Sequence, residues 1–253
     1  MKVLALLSAS LIALLINHAT AQKHAPPLIS PPGDEKATKT KVLETGAQLL
    51  QSNNPVDGFD IYLVGFHAMK DHPELQMDAH HYCHQVKEDF MQCILFDGNS
   101  GKANLHGVEY IISERLFEAL APEEKKLWHP HNGEILSGQL IAPGLPKVAE
   151  KALMKSKMNS YGKTWHLWNT GYINQFNDAL PVGQPMLAWS LNRDGELLPG
   201  LMQERERKLN VDLAATRKER AELQKLAKPQ SGVDELKGKF ARPTQDIPGV
   251  VNK

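Results

Sequence analysis

A chain of 253 residues with 29 Lys and Arg against 29 Asp and Glu carries no formal net charge. With its basic residues interspersed among acids, it lacks the electrostatic footprint of a nucleic-acid binder. Two cysteines in a chain of this length exclude a disulfide scaffold, because apolar burial alone can stabilise a core of this size.

The chain opens MKVLALLSASLIALLINHATA: one Lys, an apolar run from Val3 to Ile16, then Ala19-Thr20-Ala21. The run is too short to span a membrane comfortably and ends in a small-x-small cleavage signal, so residues 1–21 read as a signal peptide. The expectation is an exported protein, periplasmic or extracellular. Residues 22–38 hold four prolines and a glycine and read as a flexible arm.

Residues 39–51 carry Val42, Leu43, Ala47, Leu49 and Leu50 at helical spacings, and Pro55 and Gly58 end the pattern. "FDIYLVGFHAMK" fits a helix start or a strand equally. "AHHYCHQV" and "FMQCILFDG" read as a strand pair closed by the turn signal "DGNSGK", with "NLHGVEYIIS" following. "SERLFEALAPEEKKLW" reads as a short Ser-capped helix broken at Pro122. "EILSGQLIAPG" alternates like a strand, and "PKVAEKALMKSKMNSYG" has helical spacing with Pro in front and Gly behind. "KTWHLWN" and "PMLAWSLN" are strand-like.

The fold class expected is α+β: a single mixed domain over 39–200 with short antiparallel strands and helices. Beyond it, Leu201, Met202, Leu209, Leu213, Leu223 and Leu226 fall within an arc of about 140 degrees on a helical wheel. Residues 201–228 therefore read as one long amphipathic helix, able to pack on the domain, self-associate or lie on a membrane. An irregular tail is expected over 229–253.

Cys83 and Cys93 could be bridged if antiparallel strands run through 79–96; two buried thiols or a ligating cysteine are the alternatives. Of the eleven histidines, nine lie beyond residue 24. No H-E-x-x-H, G-x-S-x-G, Walker loop or dinucleotide fingerprint is present. On a strand over 79–86, His80, Tyr82 and His84 share one face and His81 and Cys83 the other. In "WHPHNGE", His129 and His131 share a side, with Glu134 just beyond. Imidazoles so spaced suit one divalent ion once a carboxylate or third imidazole joins them; zinc, iron or manganese would fit such ligands.

"HHYCHQVKEDFMQCILFDG", "ANLHGVEYIISERLFEALAPEEKKLWHPHNGEILSGQL" and "YGKTWHLWN" together resemble the oil-body-associated protein family, a domain of unknown function. The likeness spans about 40–200 and, with the leader, implies an exported bacterial or fungal member. The family's recurring polar positions fall here on His81, Tyr82, Cys83, Glu109, Glu114, Arg115, His129, His131, Glu134, Lys163 and His166. That alignment moves weight from His80 and His84 to His81. The resulting site is His81, His129, His131 and Glu134, closed by Glu109 or His166. The resemblance implies a lipid or membrane partner and names no reaction. Two functions follow as expectations: a non-catalytic lipid-associated or interaction domain, and a metal-assisted enzyme on a small or lipid-derived substrate.

Overall fold

The computed structural model describes residues 27, 29–51, 54–172 and 177–253. The expected signal peptide at 1–21 and residues 22–26 and 28 of the arm lie outside the described residues. Two helices, α1 (Thr38–Leu50) and α2 (Asn54–Asp57), precede the sheet. Four strands then follow in hairpin succession: β1 (Ile61–Met69), β2 (His72–Lys87), β3 (Phe90–Phe96) and β4 (Leu105–Ile112). Short elements come next: α3 (Glu114–Glu118), α4 (Pro122–Lys125), β5 (His129–Pro130), α5 (Asn132–Ser137) and the longer α6 (Lys147–Lys157). The sheet resumes with β6 (Tyr161–His166) and β7 (Met186–Trp189).

Antiparallel pairing of β4 with β6, β6 with β7 and β7 with β1 closes β1, β2, β3, β4, β6 and β7 into a six-stranded barrel. The molecule is mostly β, which corrects the expected α+β mixed domain. The helices that suggested that class are punctuation between strands: α3, α4 and α5 have five, four and six residues. "EILSGQLIAPG", expected as a strand, begins inside α5. Every residue of α5 is buried, so its apolar pattern cannot report a helical period.

Closure is uneven. Strand β7 touches β1 only at Ala68 and Met69 and β6 only at Trp165 and His166. Farther along the same seam, β5 pairs with Tyr161 and Gly162 of β6, and Ile141 exchanges backbone hydrogen bonds with Val64 of β1. The segment 129–141 thus completes the wall where β7 is missing, and α5 within it is wholly buried.

Register fixes which side chains face inward, because directly opposed residues share a face. Leu63 lies opposite His81, His81 opposite Leu95, Leu95 opposite Gly107, and Gly107 opposite His166. An adjacent layer runs Ile61, Cys83, Cys93, Glu109 and Thr164. The interior is filled by Leu63, Met91, Leu95 and Ile111, with Leu136, Leu140 and Met154 packed against them. Val64, Phe66 and Ala68 belong to a second cluster with Ile141 and Trp189.

Cys83 and Cys93, opposed on β2 and β3 with Cα atoms 4.0 Å apart, are joined by a disulfide. It closes a short loop, so the stabilisation expected from restricting the unfolded chain is about 2–3 kcal/mol. Protein refolded in reductant should therefore melt roughly 5–10 °C below the oxidised form. Coincident melting curves would mean that the barrel gains nothing from the bridge.

After β8 (Arg193–Asp194), the expected single helix over 201–228 is three elements: α7 (Leu201–Leu209), α8 (Leu213–Glu219) and a 3-10 helix (Ala221–Leu226). Asn210 breaks the run with left-handed backbone at φ 53°, and the Asp212 carboxylate caps α8 by accepting from the Ala215 amide at 2.8 Å. Leu201, Leu209 and Leu213 pack in the cluster with Phe66, and Leu223 joins the interior cluster. The stripe thus packs back on the domain, and its buried leucines are not available to a second copy. The tail is irregular apart from β9 (Gln245–Asp246), yet it buries Val233, Leu236, Phe240, Ile247 and Val250.

Candidate metal centre

Strand β1 brings His67 into the barrel, β2 His81, β4 His106 and Glu109, β5 His129 and β6 His166; His131 and Glu134 come from the start of α5. All eight are buried. Of the residues expected from sequence, His81, Glu109, His129 and His131 converge. His81 Nε2 lies 2.9 Å from Glu109 Oε2, while His129 Nε2 and His131 Nε2 lie 3.5 and 3.4 Å from Glu109 Oε1. Two ligand-like groups share Glu109: His67, His81 and Glu109, and Glu109, His129 and His131. Within each, the donor atoms lie within 4.8 Å of one another.

Glu134 lines the same small cavity as His67, His81, Glu109 and His131, a space of about 10 Å³. That is close to the room needed by one water-sized sphere. Its Oε1 has no hydrogen-bond partner. His166 is in the interior but outside both groups; its Nε2 lies 3.0 Å from His67 Nδ1, so it orients a neighbour. His80 and His84 face away from the interior, His80 Nδ1 against the Tyr62 hydroxyl at 2.6 Å and His84 Nδ1 against the Gly58 carbonyl at 2.8 Å.

Sequence reasoning did not place His67 among the ligands. The signal was there once residues 59–70 are read as a strand: Leu63, Gly65 and His67 then share one face.

The outer hydrogen bonds fix how two of the imidazoles present themselves. His81 Nδ1 lies 3.0 Å from the Ala79 carbonyl, which can only accept. His131 Nδ1 lies 2.7 Å from Ser160 Oγ, whose own proton goes to the Lys157 carbonyl at 2.8 Å. Both Nδ1 atoms therefore carry the proton, and both Nε2 atoms turn toward Glu109.

Burial opposes charge throughout the cluster. It lowers His129 to about 3, with Glu109 opposing and His131 and His81 adding to the fall. It also holds His67 well below the ordinary imidazole range, helped by His81, and does the same to His166, helped by His106 and His67. Burial, then the Glu109 charge, pushes Glu134 well above the usual carboxylate range. Burial would raise Glu109 too, but hydrogen bonds from His131 and His81, donated when those rings carry a second proton, hold it well below that range. The two carboxyls are driven apart by their partners: Glu109 has imidazoles, and Glu134 has a like charge.

Residues 53–224 match the family described as a protein of unknown function, DUF1264. Oil body-associated protein 2A of Arabidopsis thaliana is 36% identical over 206 residues, 81% of this chain and 82% of the relative. Oil body-associated protein 1B of Arabidopsis thaliana is 36% identical over 81% of this chain and 82% of its own. Oil body-associated protein 1A of Zea mays is 37% identical over 81% and 83%. No solved structure matches the chain.

These relatives are plant proteins and lend no support to a bacterial or fungal origin. Being named for oil bodies, they also overturn the expected periplasmic or extracellular location. By the family match over 53–224 and by the identity of these relatives, the chain belongs to the DUF1264 family, together with the oil body-associated proteins of plants.

Proposed function

We propose that this chain works at a lipid surface without catalysing a reaction. The observation that carries the reading is α1. None of its residues is buried, and Val42, Leu43, Leu49 and Leu50 are 63–87% exposed. On a helical wheel these four fall within an arc of about 120 degrees, with Lys41, Glu44 and Gln48 opposite. An exposed helix of this kind gains by laying its apolar face into a lipid boundary. No helix among the described residues is long and apolar enough to cross a membrane, so α1 would lie on the surface. The relatives' names, oil body-associated proteins, agree with a lipid partner.

The converging His and Glu side chains favour a second reading, a metal-assisted enzyme. Against it stands the closure of the site: the cavity of about 10 Å³ has no room for a lipid-derived substrate.

Flotation with triacylglycerol emulsions coated in phosphatidylcholine tests the first reading. A buried Leu contributes roughly 1.5–3 kcal/mol, so the Leu43→Glu, Leu50→Glu double variant should bind the emulsion at least about tenfold more weakly. Equal flotation of variant and wild type would remove α1 from the interaction; no flotation of either would remove the lipid surface itself.

A further inference from the structure

We propose that the barrel interior binds one divalent transition-metal ion, held by Glu109, His129 and His131, with His81 orienting the other oxygen of Glu109 and Glu134 supplying the second negative charge. This goes beyond the lipid-surface reading and does not depend on it.

The first argument is the count of protons. His81 and His131 have each committed the Nδ1 proton to an outer acceptor, Ala79 O and Ser160 Oγ. A neutral imidazole has only one ring proton, so both Nε2 atoms carry lone pairs. Those lone pairs face the two oxygens of one carboxylate, at 2.9 and 3.4 Å. Acceptor then faces acceptor on both sides of Glu109. Either protons enter to separate these acceptors, leaving imidazolium in a fully buried site, or a cation sits between His131 and Glu109. Burying an imidazolium costs several kcal/mol before its carboxylate partner offsets it, whereas an ion bonded directly to the lone pairs of His129, His131 and Glu109 satisfies all three at once.

The second argument is the set of buried polar atoms with no hydrogen bond. Neither ring nitrogen of His129 has one, nor does Glu134 Oε1. Buried polar groups are ordinarily paired, and here the unpaired atoms adjoin the same carboxylate or the cavity beside it. The third is charge. Glu109 and Glu134 line one cavity and repel each other when both are ionised, a repulsion that a divalent ion beside them removes, and the imidazoles add nothing while neutral.

The outer contact of His131 matches what a ligating histidine needs, since a ligand's second ring nitrogen is held by an acceptor that fixes ring and tautomer. Both cysteines are in the disulfide, so no thiolate competes for the ion. Two imidazoles and a carboxylate suit zinc, with iron and manganese the other members of the class. Because every ligand is buried and the space is small, the ion is structural: it ties β4 to the segment 129–134 that fills the seam.

Metal analysis of full-length protein purified without chelator or nickel resin, then of stripped protein titrated with zinc chloride, tests this. The expected result is about one zinc per chain, with a raised melting temperature. Ser160→Ala removes the acceptor behind His131, with the Lys157 carbonyl still bonded by the Ser160 amide, and should weaken zinc roughly tenfold to a hundredfold while leaving the far-UV circular dichroism unchanged. His131→Ala should weaken it further; should that variant not fold, the wild-type stoichiometry and Ser160→Ala still decide. Wild-type protein that holds neither zinc, iron nor manganese would overturn the proposal. So would two ions per chain, or zinc affinity indifferent to Ser160→Ala.

Discussion

Replacing Asp78 with Ala is expected to cost about 3–5 kcal/mol of folding stability, because it strands a guanidinium in the protein interior. Arg205 on α7 is buried, and its Nε and Nη2 both donate to Asp78 Oδ1, at 2.8 and 2.5 Å. Nη1 donates to the Gln139 carbonyl, and the guanidinium lies 3.2 Å over the Phe66 ring. Asp78 on β2 stands opposite Phe66 on β1, on the outer face of the barrel that α7 covers. The pair therefore pins the C-terminal cap to the wall and, through Gln139, to the segment that fills the seam. Arginine stays charged when its partner is removed, so the cost cannot be escaped by losing a proton. Asp78→Leu combined with Arg205→Met should recover most of the loss, since apolar side chains of similar size need no partner. Urea unfolding of the two single variants and the double variant measures this. A single-variant cost below about 1 kcal/mol would place the ion pair in solvent, contrary to its burial.

Much of the succession β2–β3–β4 was legible because its signals are local: alternation along the strands, a Gly- and Asn-bearing turn between β3 and β4, and two cysteines whose parity allowed a bridge. Barrel closure was not legible, for a physical reason. It depends on Gly107 meeting His166 and Ile112 meeting Tyr161, a register set by tertiary packing across some fifty residues. The C-terminal stripe misled in a different way. Six apolar residues on one arc are compatible with one helix or with shorter helices packed on one wall. The interruption rests on Asn210 and Asp212, a left-handed stop and an N-cap inside "KLNVDLAA". Those signals were present but outweighed by periodicity.

The candidate centre divides along the same line. His129 and His131 were legible by spacing, and His81 by the family likeness, where strand parity alone left the choice with His80 and His84. Parity correctly separated the two faces of β2, but only the barrel decides which face is inside. Glu134 enters on a helix, not the strand expected from "EILSGQLIAPG". His67 needed β1 to be read as a strand.

Gly162→Ala should join the fold and the centre in one measurement. Gly162 on β6 lies opposite Ile111 of β4 and His129 of β5. A Cβ there would stand 2.2 Å from Glu109 Oε1 and 2.7 Å from both Cε1 and Nε2 of His129. Neither neighbour can yield freely, because both are buried and Glu109 is held by His81 and His131. Alanine must push the carboxylate off its imidazoles or rotate the His129 ring into the wall. The expected cost is about 3 kcal/mol, the upper end of the overpacking range. If the cluster holds an ion, zinc affinity should fall by at least about a hundredfold as well, since one methyl displaces two of the three ligands. Gly46→Ala is the matched control: nothing lies within 4 Å of its Cβ position on exposed α1, and removing a helical glycine there stabilises that helix by up to about 1 kcal/mol. The same added methyl should therefore act with opposite sign at the two positions. Urea unfolding and zinc titration of both variants test this, and a Gly162→Ala protein as stable and as zinc-avid as wild type would show that Glu109 and His129 do not meet at that wall.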